Sequence, residues 1–511
     1  MLFIKIYGGI VINYVVISFL SILLFFEIYH ELTIFQQAGY KIKEYFKHFR
    51  KYYLYSLSGF VRLQTVLLGI LYCWYDNWFL GLLTLFFIFG CIVLKEKKIL
   101  TLKITKRISR MFFTIIIIYL IQIFTVMPLL FINIYIVPIL IIVTNIINAP
   151  IENLINRYYI EKAKNKIGKL ELIKIGITGS YGKTSCKYFL SSILSSRYLV
   201  HKTPKSYNTC LGITKDILNN LEDYNEIYIA EMGATKQKDI EKINNILNIN
   251  IGIITSIGTQ HLDSFKTIEN VLKTKLELLK SKNIDTLIIN ADNEYLDEYE
   301  YPEHLKVIKV GIKNKNVNYS ATNLVEKFNY ISFQVNDILF EANLNGIHNV
   351  TNLLLVYAVC KELKLSDFEI IEEIKNLESV EHRLALIKKE GYQILDDSFN
   401  SNFEGFISAL NVLNKVNTIK ILITPGLVDQ KEKLKEYYEK IGDLIVNVVD
   451  YVYLIDNENI YILVEYFKSN NFAKYIVVNS FEEAMKLVNK QENYSTVLIE
   501  NDLTDYYLSR G

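Results

Sequence analysis

Gly176-Ile-Thr-Gly-Ser-Tyr-Gly-Lys-Thr-Ser185 lies between an apolar run, residues 172–177, and a helical pattern, residues 186–194. A glycine-rich turn from a strand to a helix directs backbone N–H groups at one place, where the helix dipole also favours an anion. Lys183 adds a mobile cation for the β- and γ-phosphates of a nucleotide, and the Thr184 hydroxyl suits the accompanying magnesium. Ile177 replaces the first glycine of the usual pattern, which leaves the variant T-G-S-x-G-K-T. The turn therefore predicts a site for ATP.

The composition divides the chain into two parts. Residues 1–150 are dominated by Ile, Leu, Phe and Tyr, whereas the rest of the 511 residues alternates charged and apolar segments, and more than one domain is expected. The net charge is +2 and no basic stripe with interleaved aromatic residues appears in the soluble part, so nucleic acid is not an expected partner. The five cysteines lack C-x-x-C spacing, which argues against a zinc site or a disulfide framework.

Long uncharged segments in the first part predict membrane helices. Residues 6–26 contain no charge and are long enough to cross a bilayer, and residues 79–94 make another span. Residues 111–151 are about twice as long as one crossing, so we interpret them as two helices that turn near Pro128. A span at residues 61–75 is weaker because an arginine lies at its edge. Four or five spans are therefore expected.

The basic residues between these spans predict their orientation. Five Lys or Arg lie within residues 41–51 and seven within residues 95–110, whereas the turns at 76–78 and 127–131 have none. Basic loops of membrane proteins stay in the cytoplasm. Five spans would then leave everything after Glu152 in the cytoplasm, on the same side as the cell's ATP.

After residue 168, apolar runs of strand length alternate with amphipathic helical segments. Several of the runs have polar residues just past their carboxyl ends, which is where parallel sheets bind ligands; examples are residues 226–230, 251–256 and 286–290. This alternation predicts a β-α-β architecture. A last region, from about residue 380, predicts a small Rossmann-like fold without a dinucleotide-binding turn, with strand candidates at 419–424, 451–455 and 495–500.

Five further stretches carry residues suited to nucleotide and metal chemistry. They are Thr203-Pro-Lys-Ser-Tyr-Asn-Thr209, Glu231-Met-Gly-Ala234, Gly258-Thr-Gln-His261 with Lys273-Thr-Lys-Leu-Glu277, Gly346-Ile-His-Asn-Val-Thr-Asn352, and His382-Arg383 with Asp396-Asp-Ser-Phe-Asn-Ser-Asn402. Together with the glycine-rich turn, and in this order, they resemble the Mur ligase family, ATP-dependent enzymes that join amino acids or peptides to cell-wall precursors. The branch that adds D-alanyl-D-alanine is the most similar. The resemblance covers roughly residues 169–505.

The apolar spans and the resemblance together imply a domain order. An α-helical membrane region of about five helices at residues 1–152 and a linker at 153–168 would be followed by α/β domains. These are a P-loop-type central ATPase domain with a parallel sheet at 169–379 and a Rossmann-like C-terminal domain at 380–511. The family's first domain, which holds the uridine diphosphate of the precursor, has no counterpart here. Whether the precursor is UDP-linked or lipid-linked therefore stays open.

The resemblance also assigns roles to residues. Those expected to bind ATP are Gly179, Ser180, Gly182, Lys183, Thr184, Ser185, Asn349, Asn352 and Asp397. Two Mg²⁺ ions would be held by Thr184, Glu231, His261 and Lys275, the last as a carbamate formed with CO2. The substrates would meet Thr203, Asn208, Asn400 and Asn402. The expected catalytic residues are Lys183, Lys275, His261 and Arg383, and Arg383 would close on the transferred phosphate.

The activity that follows from the resemblance is an ADP-forming peptide ligase of peptidoglycan synthesis in the bacterial cell membrane. A precursor carboxylate would be activated as an acyl phosphate and attacked by D-alanyl-D-alanine or a similar amine. Phe399 and Phe403 depart from the family pattern, which leaves the amine open. Another Mur-type amide ligase, such as a polyglutamate-forming one, and a nucleotide-regulated transporter or sensor are the alternatives. The lipid bilayer and other wall-synthesis proteins are the expected partners of the spans.

Overall fold

The computed structural model describes ten stretches of the chain. These are residues 2–49, 57–75, 78–93, 101–125, 128–205, 207–259, 262–399, 402–427, 434–457 and 459–501. His261 and Asn400, two of the predicted site residues, lie outside them. The chain divides into two compact units, Met1–Arg157 and Tyr158–Leu503.

The first unit is helical. Its helices are α1 (Leu2–Gln37), α2 (Ile42–Phe49), α3 (Leu57–Tyr75), α4 (Trp78–Val93), α5 (Lys106–Thr125) and α6 (Pro128–Gly168), the last of which runs on into the second unit. Helices cover the described residues of the predicted spans, and α5 and α6 lie on either side of the predicted turn near Pro128. Within the described residues, two segments are long and apolar enough to cross a membrane, Ser18–Gln37 and Tyr135–Gly168. The multi-span arrangement stays a prediction.

The first helix continues well past residue 26, where the predicted span ended. This extension buries Glu27 and Glu31 within the helical unit. Arg62 on α3 lies 3.2 Å from Glu27, and the Tyr45 hydroxyl on α2 donates a hydrogen bond to Glu31 at 2.7 Å. A buried carboxylate requires such partners, so these contacts tie α1 to its two neighbours.

Residues 153–168, predicted as a linker, are helical and continue α6. The charged residues in this segment gave it the composition of a solvated linker. The segment is instead a helix with one buried face, because Ala163 and Ile167, four residues apart, lie in the core of the second unit. Residues with this spacing share one face of a helix.

The second unit begins with a seven-stranded sheet that is parallel throughout. Its strands are β1 (Ile173–Thr178), β2 (Val200–Lys202), β3 (Ile227–Glu231), β4 (Ile251–Ile254), β5 (Thr286–Asn290), β6 (Lys306–Gly311) and β7 (Tyr319–Ser320). They lie in the order β2-β3-β1-β4-β5-β6-β7. Apolar residues cover both faces of this sheet, as a parallel sheet requires. The predicted parallel-sheet domain is confirmed.

Helices pack around this sheet. They are α7 (Lys183–Leu194), α8 (Cys210–Asn220), α9 (Asp239–Leu247), α10 (Leu262–Phe265), α11 (Ile268–Lys275), α12 (Glu294–Asp297), α13 (His348–Glu362) and α14 (Asp367–Lys375), with a 3-10 turn at Leu276–Lys280. Because β3, β1 and β4 are neighbours and parallel, their carboxyl ends meet at one edge. This edge carries the glycine-rich turn.

A small antiparallel sheet, which the sequence analysis missed, follows the parallel one. Its strands are β8 (Thr322–Lys327), β9 (Tyr330–Val335) and β10 (Ile338–Ala342). Asn336 and Asp337, both with positive φ, form the two-residue turn between β9 and β10. Such a pair between apolar segments is a hairpin signal that was present in the sequence.

The C-terminal part forms a six-stranded sheet with helices between its strands. Its elements are β11 (Ala385–Lys388), β12 (Tyr392–Asp397), α15 (Phe403–Leu413), β13 (Ile419–Thr424), α16 (Leu434–Val448), β14 (Tyr451–Ile455), α17 (Ile460–Ser469), β15 (Tyr475–Val478), α18 (Phe481–Val488) and β16 (Ser495–Glu500). The strands lie in the order β11-β12-β16-β13-β14-β15. Only β11 is antiparallel to its neighbour. The three strands predicted in this region are confirmed with the predicted bounds.

The small sheet also connects the two α/β domains. Phe328, between β8 and β9, packs against the apolar core of the C-terminal domain. Glu326 on β8 forms an ion pair with Lys415, which follows α15. Asn345, just after β10, donates a side-chain hydrogen bond to Leu384 O at 3.2 Å. Contacts of three kinds therefore hold the domains together here.

Candidate functional site

The turn between β1 and α7 depends on two glycines. Gly179 has a φ of +145° and Gly182 a φ of +82°, conformations that residues with a side chain rarely adopt. A Cβ atom at Gly179 would overlap Thr255 Oγ1, and one at Gly182 would overlap Asn352 Oδ1. Both positions therefore require glycine for conformation and for space.

The loop that follows β4 braces this turn. Ser180 N donates to Ser256 O at 2.8 Å, Tyr181 N donates to Ser256 Oγ at 3.0 Å, and Gly258 N donates to Ser180 Oγ at 2.9 Å. Thr255 Oγ1 donates to Tyr181 O. Thr255 and Ser256 were not among the site residues predicted from the sequence. They end the predicted strand at residues 251–256, and polar residues at the carboxyl end of a parallel strand often lie at a ligand site.

Lys183 curls back over the turn. Its Nζ donates to Gly179 O at 2.6 Å and to Ser180 O at 2.8 Å. Burial lowers the pKa of Lys183 to about 8; the Glu231 carboxylate opposes this shift and the Arg383 guanidinium adds to it. A phosphate anion in the turn would favour the charged form of this amine.

Glu231, at the carboxyl end of β3, faces the first turns of α7. Thr184 Oγ1 donates to Glu231 Oε2 at 3.1 Å, and Lys187 Nζ lies 3.0 Å from the same oxygen. The side chains of Lys187 and Glu231 are 4% and 3% exposed. Burial alone would raise the pKa of Glu231, but Lys187 and Lys183 together hold it below its ordinary value.

Lys187 is buried in this structure and was not among the residues predicted from the sequence. It lies four residues after Lys183, a spacing that puts two helical side chains on one face. That spacing was the signal that predicts a second lysine at the site.

Thr203 and Asn208, predicted to meet the substrate, bond to the backbone or the carboxylate of the same Glu231. Glu231 N donates to Thr203 Oγ1 at 3.1 Å, and Asn208 Nδ2 donates to Glu231 Oε1 at 3.1 Å. Lys187 Nζ also donates to Lys205 O at 2.6 Å. Residues of this predicted substrate segment thus lie around Glu231 together with residues of α7. We call the glycine-rich turn between β1 and α7 the phosphate turn.

The oxygen atoms of Thr184 and Glu231 suit a magnesium ion. Magnesium prefers oxygen ligands and usually keeps several waters, so one or two protein ligands are enough when phosphates supply others. Within the described ranges, no group of three His, Cys, Asp or Glu side chains could hold a metal ion. The residues therefore fit an ion that the chain shares with a bound phosphate.

Lys275, the last residue of α11, is 3% exposed. Burial lowers its pKa to about 7, and the positive charge of Lys183 adds to this shift. A substantial fraction of this amine is therefore neutral near pH 7. Lys273, on the same helix, is exposed. Because His261 lies outside the described residues, the predicted pairing of His261 with Lys275 stays a prediction.

Asn349 and Asn352 on α13 lie beside the turn, and both are buried. Asn352 Nδ2 donates to Asn349 Oδ1 at 3.1 Å, and Asn349 Nδ2 donates to Asn345 O at 2.8 Å. Cys186 Sγ on α7 lies 3.4 Å from Asn352 Oδ1. The two amides thus join α13 to α7, and their predicted contact with adenine stays a prediction.

Arg383 and Asp397 extend the site from the C-terminal domain. Arg383 Cζ lies 4.3 Å above the ring centroid of Phe399, and its charge acts on both Lys183 and Glu231. Leu384 N donates to Asp397 Oδ1 at 3.2 Å. Burial raises the pKa of Asp397 to about 6, although Arg383 opposes the shift. Arg383 is thus close enough to Lys183 and Glu231 to interact with them electrostatically, and its contact with the transferred phosphate stays a prediction.

Asn402, predicted to contact a substrate, occupies a structural position. Its side-chain oxygen accepts a hydrogen bond from Gly405 N at 2.9 Å and so caps the N-terminus of α15. Asparagine is a preferred residue at this position because it satisfies an otherwise unpaired N–H group. A substrate contact for Asn402 stays a prediction.

Residues 177–360 match the Mur ligase middle domain family. The chain is 30% identical over 277 residues to the UDP-N-acetylmuramoyl-tripeptide--D-alanyl-D-alanine ligase of Buchnera aphidicola subsp. Acyrthosiphon pisum (strain APS), a match that covers 53% of this chain and 61% of that protein. It is 24% identical over 358 residues to the Bacillus subtilis (strain 168) enzyme of the same name, covering 68% and 76%. The chain thus spans about three fifths of the length of the first of these relatives.

The fold is similar to that of a solved structure. MurF ligase from Thermotoga maritima, determined in complex with ADP, superimposes with a TM-score of 0.59 at 23% identity. The superposition covers 70% of this chain and 84% of the other. This likeness establishes the α/β fold of the second unit.

Removing Lys187 is expected to loosen the site, because Lys187→Met leaves Glu231 buried without its nearest cation. We expect the free energy of opening of α7 to fall by about 3 kcal/mol. Hydrogen exchange of α7 peptides in the full chain without nucleotide, followed by mass spectrometry, measures this change. Lys215→Met, at an exposed lysine of α8, is the matched control.

A double variant also removes the negative charge of Glu231. Glu231→Gln in the Lys187→Met background should recover part of the lost protection, since no uncompensated buried charge remains. Equal exchange in the native chain and in Lys187→Met would contradict the role assigned to this ion pair.

Lys275 is expected to make stability depend on pH. Its pKa is about 7 in the folded protein against an ordinary value of 10.5, so below pH 7 the folded state carries the full cost of a buried charge. That cost is relieved as the pH rises from about 7 towards 10.5. Lys275→Met should therefore stabilise the fold most below pH 7 and progressively less above it. Thermal unfolding at several pH values measures the difference; Lys273→Met is the control, and a gain independent of pH would contradict the assignment.

Proposed function

We propose that this chain, which carries a Mur ligase middle domain, is an ATP-dependent ligase that joins a carboxylate to an amine and releases ADP and phosphate. The observation that carries the proposal is the phosphate turn with Lys183, set beside the buried Glu231 and Lys275 at the carboxyl edge of the parallel sheet. The names of the relatives support a peptidoglycan precursor as the acid and D-alanyl-D-alanine as the amine.

The reaction requires activation of the carboxylate, because amide formation in water is uphill. A carboxylate oxygen attacks the γ-phosphorus of ATP, the bond to the β-phosphate oxygen breaks, and ADP leaves. The amine then attacks the acyl phosphate, loses a proton and expels inorganic phosphate. Phosphoryl transfer depends mainly on positioning and on neutralisation of charge. The N–H groups at the start of α7 and the Lys183 amine would hold the β- and γ-phosphates.

Magnesium would be held by Thr184 and Glu231, and when bound it would neutralise the phosphate oxygens. The family resemblance adds a second ion at His261 and Lys275. The neutral amine of Lys275 can react with CO2, losing a proton and becoming an anionic carbamate. The low exposure of Lys275 and its pKa of about 7 support this modification. An unmodified cation there would repel the ions nearby.

Arg383 would complete the site from the C-terminal domain. The electrostatic interaction of Arg383 with Lys183 and Glu231 supports a position near the transferred phosphate. Asp397 would meet the ribose or hold Arg383 in orientation. Thr203 and Asn208, which bond to Glu231, would face the precursor carboxylate.

We further propose attachment to the bacterial cell membrane by several helices, with both α/β domains in the cytoplasm. The apolar segments Ser18–Gln37 and Tyr135–Gly168 support this, as do the basic residues between the predicted spans. The precursor is then either UDP-linked or presented by a lipid at the bilayer. Other wall-synthesis proteins are candidate partners of the helices.

The function is tested by the substrate dependence of ADP release. Purified full chain with ATP and Mg²⁺ is expected to release ADP only when a muramoyl-tripeptide precursor and D-alanyl-D-alanine are both present, with a product of matching mass. Glutamate as the effective amine would instead indicate a polyglutamate-type ligase. ADP release that ignores both substrates would overturn the proposal.

Matched lysine variants serve as controls for this assay. Lys275→Ala should abolish ligation, while Lys273→Ala, on the same helix and exposed, should leave it near the native rate. Removal of CO2 from the buffer should lower ligation by the native chain and by the Lys273→Ala variant to the same extent.

Arg383→Ala is expected to lower turnover more than ATP affinity. Its contact would be made with the transferred phosphate during reaction, so the loss belongs to kcat. Steady-state kinetics and equilibrium binding of ATP measure the two effects separately. Arg197→Ala, at an arginine that bonds to Lys364 O away from the turn, is the control. Equal losses of turnover and affinity would argue against this role.

A further inference from the structure

One surface of the helical unit combines exposed lysines with exposed large apolar side chains. The apolar members are 38%, 49% and 79% exposed, and they are Ile42, Phe46 and Ile104. The lysines lie next to them in the chain and are also exposed; they are Lys41, Lys43, Lys103 and Lys106. We name these seven residues the basic–apolar patch.

Specific contacts bring the two halves of the patch together, although they lie far apart in the chain. Gln36 Nε2 donates to Lys103 O at 2.8 Å, and Lys103 N donates to Gln36 Oε1 at 2.9 Å. The guanidinium of Arg107 lies 3.8 Å above the ring centroid of Tyr40. The end of α1 and the start of α5 are therefore fixed side by side.

The short helix α2 is also fixed in place. Tyr45 is fully buried, its ring lies 5.0 Å from that of Phe35, and its hydroxyl bonds to Glu31. The same helix leaves Ile42 and Phe46 exposed. Ile42 and Phe46 are therefore exposed on a helix whose position is fixed by the contacts of Tyr45.

The charge of the patch is strongly positive. Residues 41–46 and 101–106 contain four lysines and one acidic residue, Glu44, which gives a net charge of +3. Anionic phospholipids attract such a cluster, and the boundary between headgroups and acyl chains accepts apolar side chains. A nucleic acid would match the lysines but would offer no apolar medium to Ile104.

We propose that the basic–apolar patch binds the headgroups of anionic phospholipids on the cytoplasmic leaflet, with Ile42, Phe46 and Ile104 inserted at the acyl boundary. The inference rests on the membrane attachment proposed above and adds a lipid class and a set of residues to it. The patch lysines belong to the two basic segments that are predicted to be cytoplasmic, residues 41–51 and 95–110.

The test compares lipid selectivity of the full chain in a mild nonionic detergent. Equimolar phosphatidylglycerol and phosphatidylcholine are added, and native mass spectrometry counts the lipids that stay bound. Replacing Lys41, Lys43, Lys103 and Lys106 by Gln should reduce the preference for phosphatidylglycerol, by about fivefold for each lysine that meets the surface. The matched control replaces four exposed lysines of the second unit by Gln, and they are Lys282, Lys313, Lys364 and Lys389.

Each outcome decides the proposal. A reduced preference in the patch variant alone supports it, and Ile104→Ser should then weaken binding of both lipids. An unchanged preference overturns it, as does lysine-dependent binding of soluble polyglutamate at the same strength as phosphatidylglycerol.

Failure of membrane attachment is recognised separately. A chain that stays soluble without detergent would refute the spans, and binding of that soluble chain to phosphatidylglycerol vesicles would still decide the patch. ADP release in solution reports on the ligase function independently of either.

Discussion

A buried carboxylate organises the catalytic edge of this molecule. Glu231 is almost inaccessible to solvent and receives Thr184 and Lys187 from α7 and Asn208 from the segment after β2. A charge in that position is tolerable only while its partners stay in place. The phosphate turn, the helix behind it and the predicted substrate segment therefore share one electrostatic centre, and the rest of the site is arranged around it.

Much of the fold was readable because its strands are continuous apolar runs bounded by turn residues. Residues 286–290, 419–424, 451–455 and 495–500 were predicted with the bounds that the structure shows. The small antiparallel sheet was missed because its strands are half-exposed and mix polar with apolar residues. The helical nature of residues 153–168 was missed because their charges resemble a linker, while the burial of Ala163 and Ile167 depends on the distant core.

The site was less predictable than the fold. The glycine-rich turn can be recognised in the sequence, since its spacing follows from the geometry of a phosphate-binding turn. Lys187 does not, because a lysine in a helix is ordinarily solvated and only the tertiary structure buries it. Asn402, a residue of the family motif, caps a helix in this structure, and its substrate contact stays a prediction. Motifs locate chemistry well, but burial and pairing decide which side chains take part.

The small antiparallel sheet has a consequence for dissecting the chain. Phe328 packs into the core of the C-terminal domain, and Glu326 and Asn345 bond to that domain as well. A fragment that begins near residue 380 would lose all three partners and would expose an apolar hollow where the aromatic ring belongs. Separate expression of the C-terminal domain should therefore keep residues 320–345 together with its sheet, or replace the apolar residues that Phe328 covers with polar ones.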